Sequence, residues 1–534
     1  MFADYFSPLA PVVILLLSAF VLSIITPRLP DSWQAHWLVR FVLAPGLVIV
    51  AGLVLLGTES SQLQLLSGWH FGTAESGAGL TLGINSTNFP FFLLTIVVLL
   101  VTMLISLPLD NTPGRGWSLM LGSTTILLFA AANRLTLTYT VLLVDILLAY
   151  HWLVHKQTNL AVTRLFLGFI TTGAIMLNAG LAGSENFAGT IFLESTLWLR
   201  LGLYPFFELQ MVQKQSQNHN FLAYWSFSLA AGIYLVTQTL TTPLPEILRW
   251  LVVVTMLVNG LLCWLLPANK EEHVTLLTRL VFTQALLPLF LVPSSIEILS
   301  AFALGLALSL AVLWATSQLG RGSFDKLSRF WPYAGGMAAT VTLIGVPFGL
   351  TWPTWTTFYP ADFSADAVET IMVMLAVTWA MSSLTRYWFN LWRGESSACQ
   401  QPNLIPAITA TIAAVPFLVP GLGLFILQSI MQVDFPMPGS GEIASTLLFL
   451  TLTTLGAIGL GYSRTRLITR FNLPDATLTN TLELNWLLTW TEKLLSRAGK
   501  FILRVSVILE GQHYIGWALF TALVGSLIII LMRA

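Results

Sequence analysis

Arg200 stands midway along an apolar run, ESTLWLRLGLYPFFELQ, residues 194–210, that closes at Pro205. A guanidinium stays charged inside proteins, so at that depth it must snorkel, meet water or find an acid. Asp145 poses the same problem with the opposite sign. Its surroundings, YTVLLVDILLAYHW, are mostly aliphatic, and a carboxylate turned to lipid would protonate or drag its helix out of register. The two are therefore expected to face each other inside the protein. Glu194, six residues before Arg200, is a second candidate counter-charge. Its offset differs from the spacing of three or four at which helical side chains meet. His151 and His155 lie one turn apart at the end of the Asp145 run. Their solution pKa suits proton relay, while two histidines at a helix end are equally at home in an interface. These five residues are the candidates for a proton or ion path, since intramembrane ionisable groups are functional candidates by default. Two plainer readings of Arg200 stand beside this one: a run nearer one interface, or an arginine that anchors helix packing.

A second kind of chemistry belongs to the backbone. The stretch TLIGVPFGLTWPTW carries Gly345, Pro347, Gly349 and Pro353 within nine residues. An interrupted helix leaves peptide groups unpaired, which is tolerable only against protein or a hydrated cavity. A simple kink that aids packing is the alternative. Together with the run that ends at Pro205, five spans earlier, this break hints at corresponding places in two repeats.

The elements that must position these residues are membrane spans. The chain has 534 residues, 56% of them hydrophobic and 9% charged, with a mean hydropathy of +0.79. Soluble domains carry about 25% charge. Apolar runs of about 20 residues recur along almost the whole length, which specifies an all-α polytopic bundle and excludes a β-barrel of short alternating strands. Sixteen spans are expected: 8–26, 37–57, 88–108, 117–133, 136–154, 164–182, 189–207, 221–240, 246–266, 273–293, 296–316, 333–352, 368–390, 402–431, 441–461 and 510–532. The span 402–431 reads as long and tilted, or as broken around Pro416 and Pro420. With an external N-terminus, 20 of the 24 Lys and Arg fall on the cytoplasmic side, Arg164, Arg279, Arg386 and Arg464 among them. That bias supports the count and puts both termini outside. The external 58–87 loop is assigned no site. Within the cytoplasmic connection 462–509, Leu484, Leu487, Leu488, Leu494, Leu495, Phe501 and Ile502 recur at roughly helical spacing among charges. They predict a short amphipathic helix over 482–504, lying in the interface before the last span.

The same composition limits the chemistry. Net charge is zero and no basic block suggests nucleic acid. Cys263 and Cys399 have no paired spacing for a metal. No haem, flavin or iron–sulfur motif is present, so no cofactor is expected in this chain and no catalytic centre is assigned.

At this point the chain resembles the antiporter-like membrane subunits of respiratory complex I and of multisubunit cation/proton antiporters. That family carries a mid-membrane lysine before a Pro-Phe segment in its seventh helix, and Arg200, Pro205 and Phe206 look like that motif, with Phe207 where histidine often stands. Its broken twelfth helix is similar to LIGVPFGLTW at Gly345, Val346 and Pro347, and its fifth-helix glutamate corresponds to Asp145. The resemblance covers residues 90–395 and implies an inverted-repeat core. The expected divisions are helices 1–3 (1–116), a first repeat (117–240), a second (241–395), helices 14–15 (396–461), the amphipathic segment (462–509) and a last span (510–534). It further implies a prokaryotic inner-membrane location, partner membrane subunits, lipid contact, and a proton or monovalent cation as the moving ion. Any redox chemistry of an NADH:quinone oxidoreductase-like complex would belong to those partners. Three departures matter. The eighth span, FLAYWSFSLAAGIYLV, lacks the family's lysine; Trp355 stands where an ionisable residue follows the break; and arginine replaces lysine at 200. Lysine can shed its proton on burial and arginine cannot. A degenerate, mainly structural subunit and a free-standing small-solute transporter therefore remain as alternatives.

Overall fold

The computed structural model describes residues 9–25, 42–56, 61–64, 80–85, 88–105, 113–154, 158–180, 187–203, 220–239, 246–265, 279–281, 283, 296–317, 331–356, 367–393, most of 411–431, 440–471, 490, 493–494 and 497. Pro205, His155 and most of the 482–504 segment lie outside them. Among the described residues the chain forms fifteen helices and one hairpin, a multi-span membrane-helix bundle. Within those residues, five helices are long and apolar enough to cross a membrane: Arg134–Val154, Glu246–Leu265, Glu297–Thr316, Val368–Trp388 and Ile443–Arg464. Shorter apolar helices, such as Phe89–Leu104 and Ala161–Leu177, pack among them.

The first helices are α1 (Ala10–Ile25), α2 (Ala44–Leu56), α3 (Phe89–Ile105) and α4 (Pro113–Phe129). Then come α5 (Arg134–Val154), α6 (Thr158–Gly180), α7 (Phe187–Leu201) and α8 (Asn220–Thr239). Three residues separate α5 from α6 and six separate α6 from α7, lengths that make successive helices antiparallel neighbours. Asn133 caps α5: its Oδ1 accepts from the Thr136 amide at 2.8 Å and from the Thr136 hydroxyl at 2.7 Å, satisfying an otherwise orphan N–H of the first turn.

The later elements are α9 (Glu246–Leu265), α10 (Ile296–Ser317), α11 (Trp331–Ile344), α12 (Trp352–Thr356), α13 (Ala367–Arg393), α14 (Leu422–Met431) and α15 (Ser440–Phe471). α10 is buried all round and packs on α3, α8 and α11. A helix apolar on every face belongs in a bundle centre, and this one joins the earlier helices to the later ones. α15, by contrast, turns Leu448, Leu452 and Leu455 outward, the composition of a lipid-facing surface.

Several expectations are corrected. The 58–87 stretch contains a hairpin, β1 (Ser61–Gln64) paired antiparallel with β2 (Thr81–Ile84). β2 is buried because it also meets the α4–α5 turn: the Gly83 amide donates to the Ala130 carbonyl at 2.7 Å, and Ala132 donates to Thr81 at 3.0 Å. Arg464 does not enter a connecting segment. α15 runs on to Phe471, and Arg464 Nε donates to the Trp264 carbonyl at 3.1 Å while a second nitrogen reaches the Leu265 carbonyl. A cation on the last carbonyls of α9 satisfies groups that the helix itself leaves open and suits its dipole. Arg164, Arg279 and Arg386 are likewise buried rather than displayed at an aqueous face, so three of the twenty residues behind the charge bias no longer report on sidedness.

Candidate functional site

α7 ends at Leu201, one residue past Arg200 and short of Pro205. Gly202, at φ 62°, donates its amide to the Leu199 carbonyl at 3.0 Å, and Leu203 donates to Trp198 at 3.1 Å. This pair of bonds is a Schellman closure around a left-handed glycine. The guanidinium therefore projects from the last turn of a helix, where the macrodipole favours a cation.

It meets Asp145 directly. Arg200 Nη1 donates to Asp145 Oδ2 at 2.7 Å and Nη2 to Oδ1 at 3.2 Å, a two-pronged contact. Both side chains are fully buried. Nη1 also lies 3.4 Å from Thr171 Oγ1. A second arginine completes the arrangement: Arg164 Nε sits 2.9 Å from Asp145 Oδ1, and its Nη2 donates to Ser228 Oγ on α8 at 2.8 Å. One carboxylate thus lies between two guanidiniums, with hydroxyls from α6 and α8 around them.

The sequence places these groups by helical spacing. Arg164, Gly168 and Thr171 recur at i, i+4 and i+7 and form one face of α6. Gly168 gives Asp145 its room, since a Cβ there would lie 2.9 Å from the Asp145 Cβ and 3.0 Å from Oδ2. Gly168→Ala should therefore push the carboxylate off Arg164 and lower stability by about 1–3 kcal/mol. Thermal unfolding in lipid micelles checks this, and an unchanged midpoint would mean that the two helices simply part. The expected span 164–182 puts Arg164 at the aqueous end, whereas α6 begins six residues earlier, at Thr158. The apolar Leu160, Ala161 and Val162 before it were the available signal that α6 starts earlier.

The other candidates are less closely joined. Glu194 is buried but makes no ion pair or hydrogen bond among the described residues, so Arg200's partner is Asp145 and not Glu194. His151 is buried beside Trp117, ring centroids 5.8 Å apart, at the far end of α5. That is an aromatic packing position three residues before the end of α5 and six positions beyond Asp145.

The helix is interrupted over residues 345–351. α11 stops at Ile344, Gly345 takes φ 84°, Phe348 takes φ 65°, and α12 begins at Trp352 with Pro353 in its first turn. Gly349 donates its amide to Val346 at 2.9 Å. The opened backbone is satisfied within the protein: Thr351 Oγ1 donates to the Thr342 carbonyl, and Gly421 donates its amide to the Phe348 carbonyl at 2.7 Å. Gly421, at φ 82°, belongs to a second break just before α14, so two interrupted helices complete each other. Trp355 is buried against Gly345, where a Cβ would overlap the indole. An aromatic plug therefore fills the position next to the break.

A second polar group was missed from sequence. Asn259 on α9 donates through Nδ2 to the Arg279 carbonyl and to Thr283 Oγ1, each at 2.7 Å, and Arg279 is fully buried. Arg249, at one end of α9, pairs with Glu369 of α13 at 2.9 Å. Among the described residues no cluster of His, Cys, Asp and Glu could hold a metal.

No family model matches this sequence, and no curated protein does. Solved structures share its fold. A chain of the Mrp complex from a Dietzia species superposes with a TM-score of 0.60 at 15% identity, over 98% of this chain and 63% of that one. A chain of the membrane-bound sulfane sulfur reductase, an archaeal respiratory membrane complex, gives 0.58 at 15% identity over 97% and 99%. A chain of respiratory complex I from Thermus thermophilus with bound NADH gives 0.54 at 16% identity over 83% and 99%. This chain therefore spans just under two thirds of the Dietzia chain and matches the archaeal chain end to end. The likeness is one of fold.

Proposed function

We propose that this chain is an antiporter-like membrane subunit of a complex I-like or multisubunit cation/proton antiporter assembly, and that its first repeat takes part in moving protons. The observation that carries the reading is the buried Arg200–Asp145–Arg164 triad. Burying three charges is costly, and a hydrophobic replacement of similar volume is often as stable, so structure alone gives little reason to keep them. Arg200 cannot carry the proton, since guanidinium holds its own. It acts as a mobile positive charge instead. When it leans toward Asp145 the field on the adjoining path weakens, and when it withdraws that path favours an anion and repels a proton. The Schellman closure at Gly202 ends α7 one residue past Arg200, so the guanidinium stands at a helix terminus rather than in mid-helix, which suits such a displacement. The solved relatives in fold belong to large membrane complexes, which favours partner subunits over a free-standing transporter. A sixteen-span inverted-repeat fold with external termini in a prokaryotic inner membrane belongs to this reading.

A second reading, that the later half is structural, is favoured by Trp355. It fills the break where the family resemblance calls for an ionisable side chain, and the described side chains of α8 carry no charge. One experiment addresses both. Asp145→Asn combined with Arg200→Gln removes the charge pair while leaving two amides that can still hydrogen-bond. Proton-driven fluorescence quenching in vesicles, normalised to assembled complex, should fall at least tenfold if the pair serves translocation. An unchanged rate in assembled complex would leave the scaffold reading standing and end the first.

A further inference from the structure

The triad leaves Glu194 unused. This side chain is 6% exposed, and its Oε2 is fully buried with no hydrogen-bond partner among the described residues. It lies on α7 six residues before Arg200, about 9 Å along the helix axis. Because α6 and α7 are antiparallel neighbours, that displacement runs toward the end where α5 begins and the β1–β2 hairpin meets the α4–α5 turn.

Its face is also distinct. Glu194, Leu197 and Leu201 recur at i, i+3 and i+7, and Leu201 lies against Gly232 of α8. Arg200 projects from the other side of α7 to Asp145. Arg134, at the start of α5 and at the same end as Glu194, is exposed, and the buried charged and titratable groups nearest the triad have other partners. On α6, Arg164 is held by Asp145 and Ser228; on α8, the Tyr234 hydroxyl donates to the Phe129 carbonyl at 3.0 Å; on α5, both Asp145 oxygens receive guanidinium N–H groups. None of these contacts Glu194. Burying a carboxylate as an ion without cation or donor costs far more than burying the neutral acid, and no described residue supplies a donor to Glu194 Oε2.

We infer that Glu194 is the proton-loading group of this half of the bundle, exchanging its proton with water from the hairpin end while the triad supplies the charge beside it. Its part in transport rests on the translocation reading; the exchange itself does not. The step is a proton transfer alone: an O–H bond forms at the Glu194 carboxyl as water-borne acid gives up its proton, and the same bond breaks on release.

Infrared difference spectra of the full chain in lipid vesicles, taken between acidic and alkaline buffer in H2O and D2O, read this directly. Wild type should show a protonated-carboxyl band that shifts in D2O, is absent in Glu194→Gln, and changes frequency in Glu194→Asp. Identical carboxyl regions in wild type and Glu194→Gln, or a band that ignores D2O, would overturn the exchange. Should Glu194→Gln fail to insert, the frequency change in Glu194→Asp decides instead. In assembled complex, Glu194→Gln should slow proton transport at least tenfold with Glu194→Asp restoring part of it, and a wild-type rate in Glu194→Gln would overturn the loading role. The translocation reading fails separately, when neutralising Arg200 and Asp145 leaves transport intact while the Glu194 band persists.

Discussion

Asp145→Leu should be the most damaging single substitution in the triad, lowering stability by about 3–5 kcal/mol, the usual cost of stripping the partner from a buried ion. It leaves two guanidiniums, Arg164 and Arg200, facing an aliphatic side chain. Arg200→Leu should cost less, about 1.5–3 kcal/mol, the scale of a hydrogen bond to a charged group, because Arg164 still holds the carboxylate at 2.9 Å. The order matters more than either figure. A simple ion pair would give equal losses for the two single changes and broad recovery in the double. With a shared carboxylate, Asp145→Leu with Arg200→Leu still strands Arg164, so recovery should be partial until Arg164 is neutralised as well. Unfolding free energies in bicelles for the singles, the double and the triple measure this, and equal single losses with full recovery in the double would show that Arg164 contributes nothing. The three sites share partners, so additivity is not expected.

How much of this could be read from sequence depends on the range of the interaction. Arg200 and Asp145 were legible because each is a charge surrounded by apolar neighbours, and the bilayer gives such groups few options. The break at Gly345 was legible because glycine and proline act on their own backbone. Arg164 was not, because its place turned on where one helix starts, and boundaries are the weakest part of a sequence reading. Gly202 was overlooked in favour of Pro205, although a glycine after the last helical residue is the commoner stop. The β1–β2 hairpin gave little local signal. SQLQ and TLGI are four-residue strands sixteen residues apart, and what buries β2 is a turn between α4 and α5 far along the chain. Arg464 illustrates the same limit, since its carbonyl partners lie about 200 residues earlier on α9.

Gly345→Ala should be the most damaging change outside the triad. Two independent costs meet at this residue. Its φ of 84° is left-handed, which costs an L-residue about 1–2 kcal/mol. A Cβ would also overlap the Trp355 indole, and overpacking of a filled core costs about 1–3 kcal/mol more. The combined loss is therefore about 2–5 kcal/mol. The effect should spread, because the break is shared: Phe348 accepts from the Gly421 amide, and Thr342 Oγ1 lies 3.3 Å from the Leu418 carbonyl. Hydrogen exchange at the Gly421 amide should accelerate in Gly345→Ala, even though that residue lies on the other interrupted helix. Gly349→Ala is the internal control, for its φ is not left-handed and its Cβ would be 3.0 Å from one carbonyl oxygen, that of Val346. It should cost clearly less. The two terms at Gly345 separate in a cycle with Trp355→Leu: the smaller side chain relieves the overlap but not the backbone, so the double variant should lose less than the sum of the singles. Strict additivity would mean that Trp355 moves aside at no cost, and that the indole is not what closes the break.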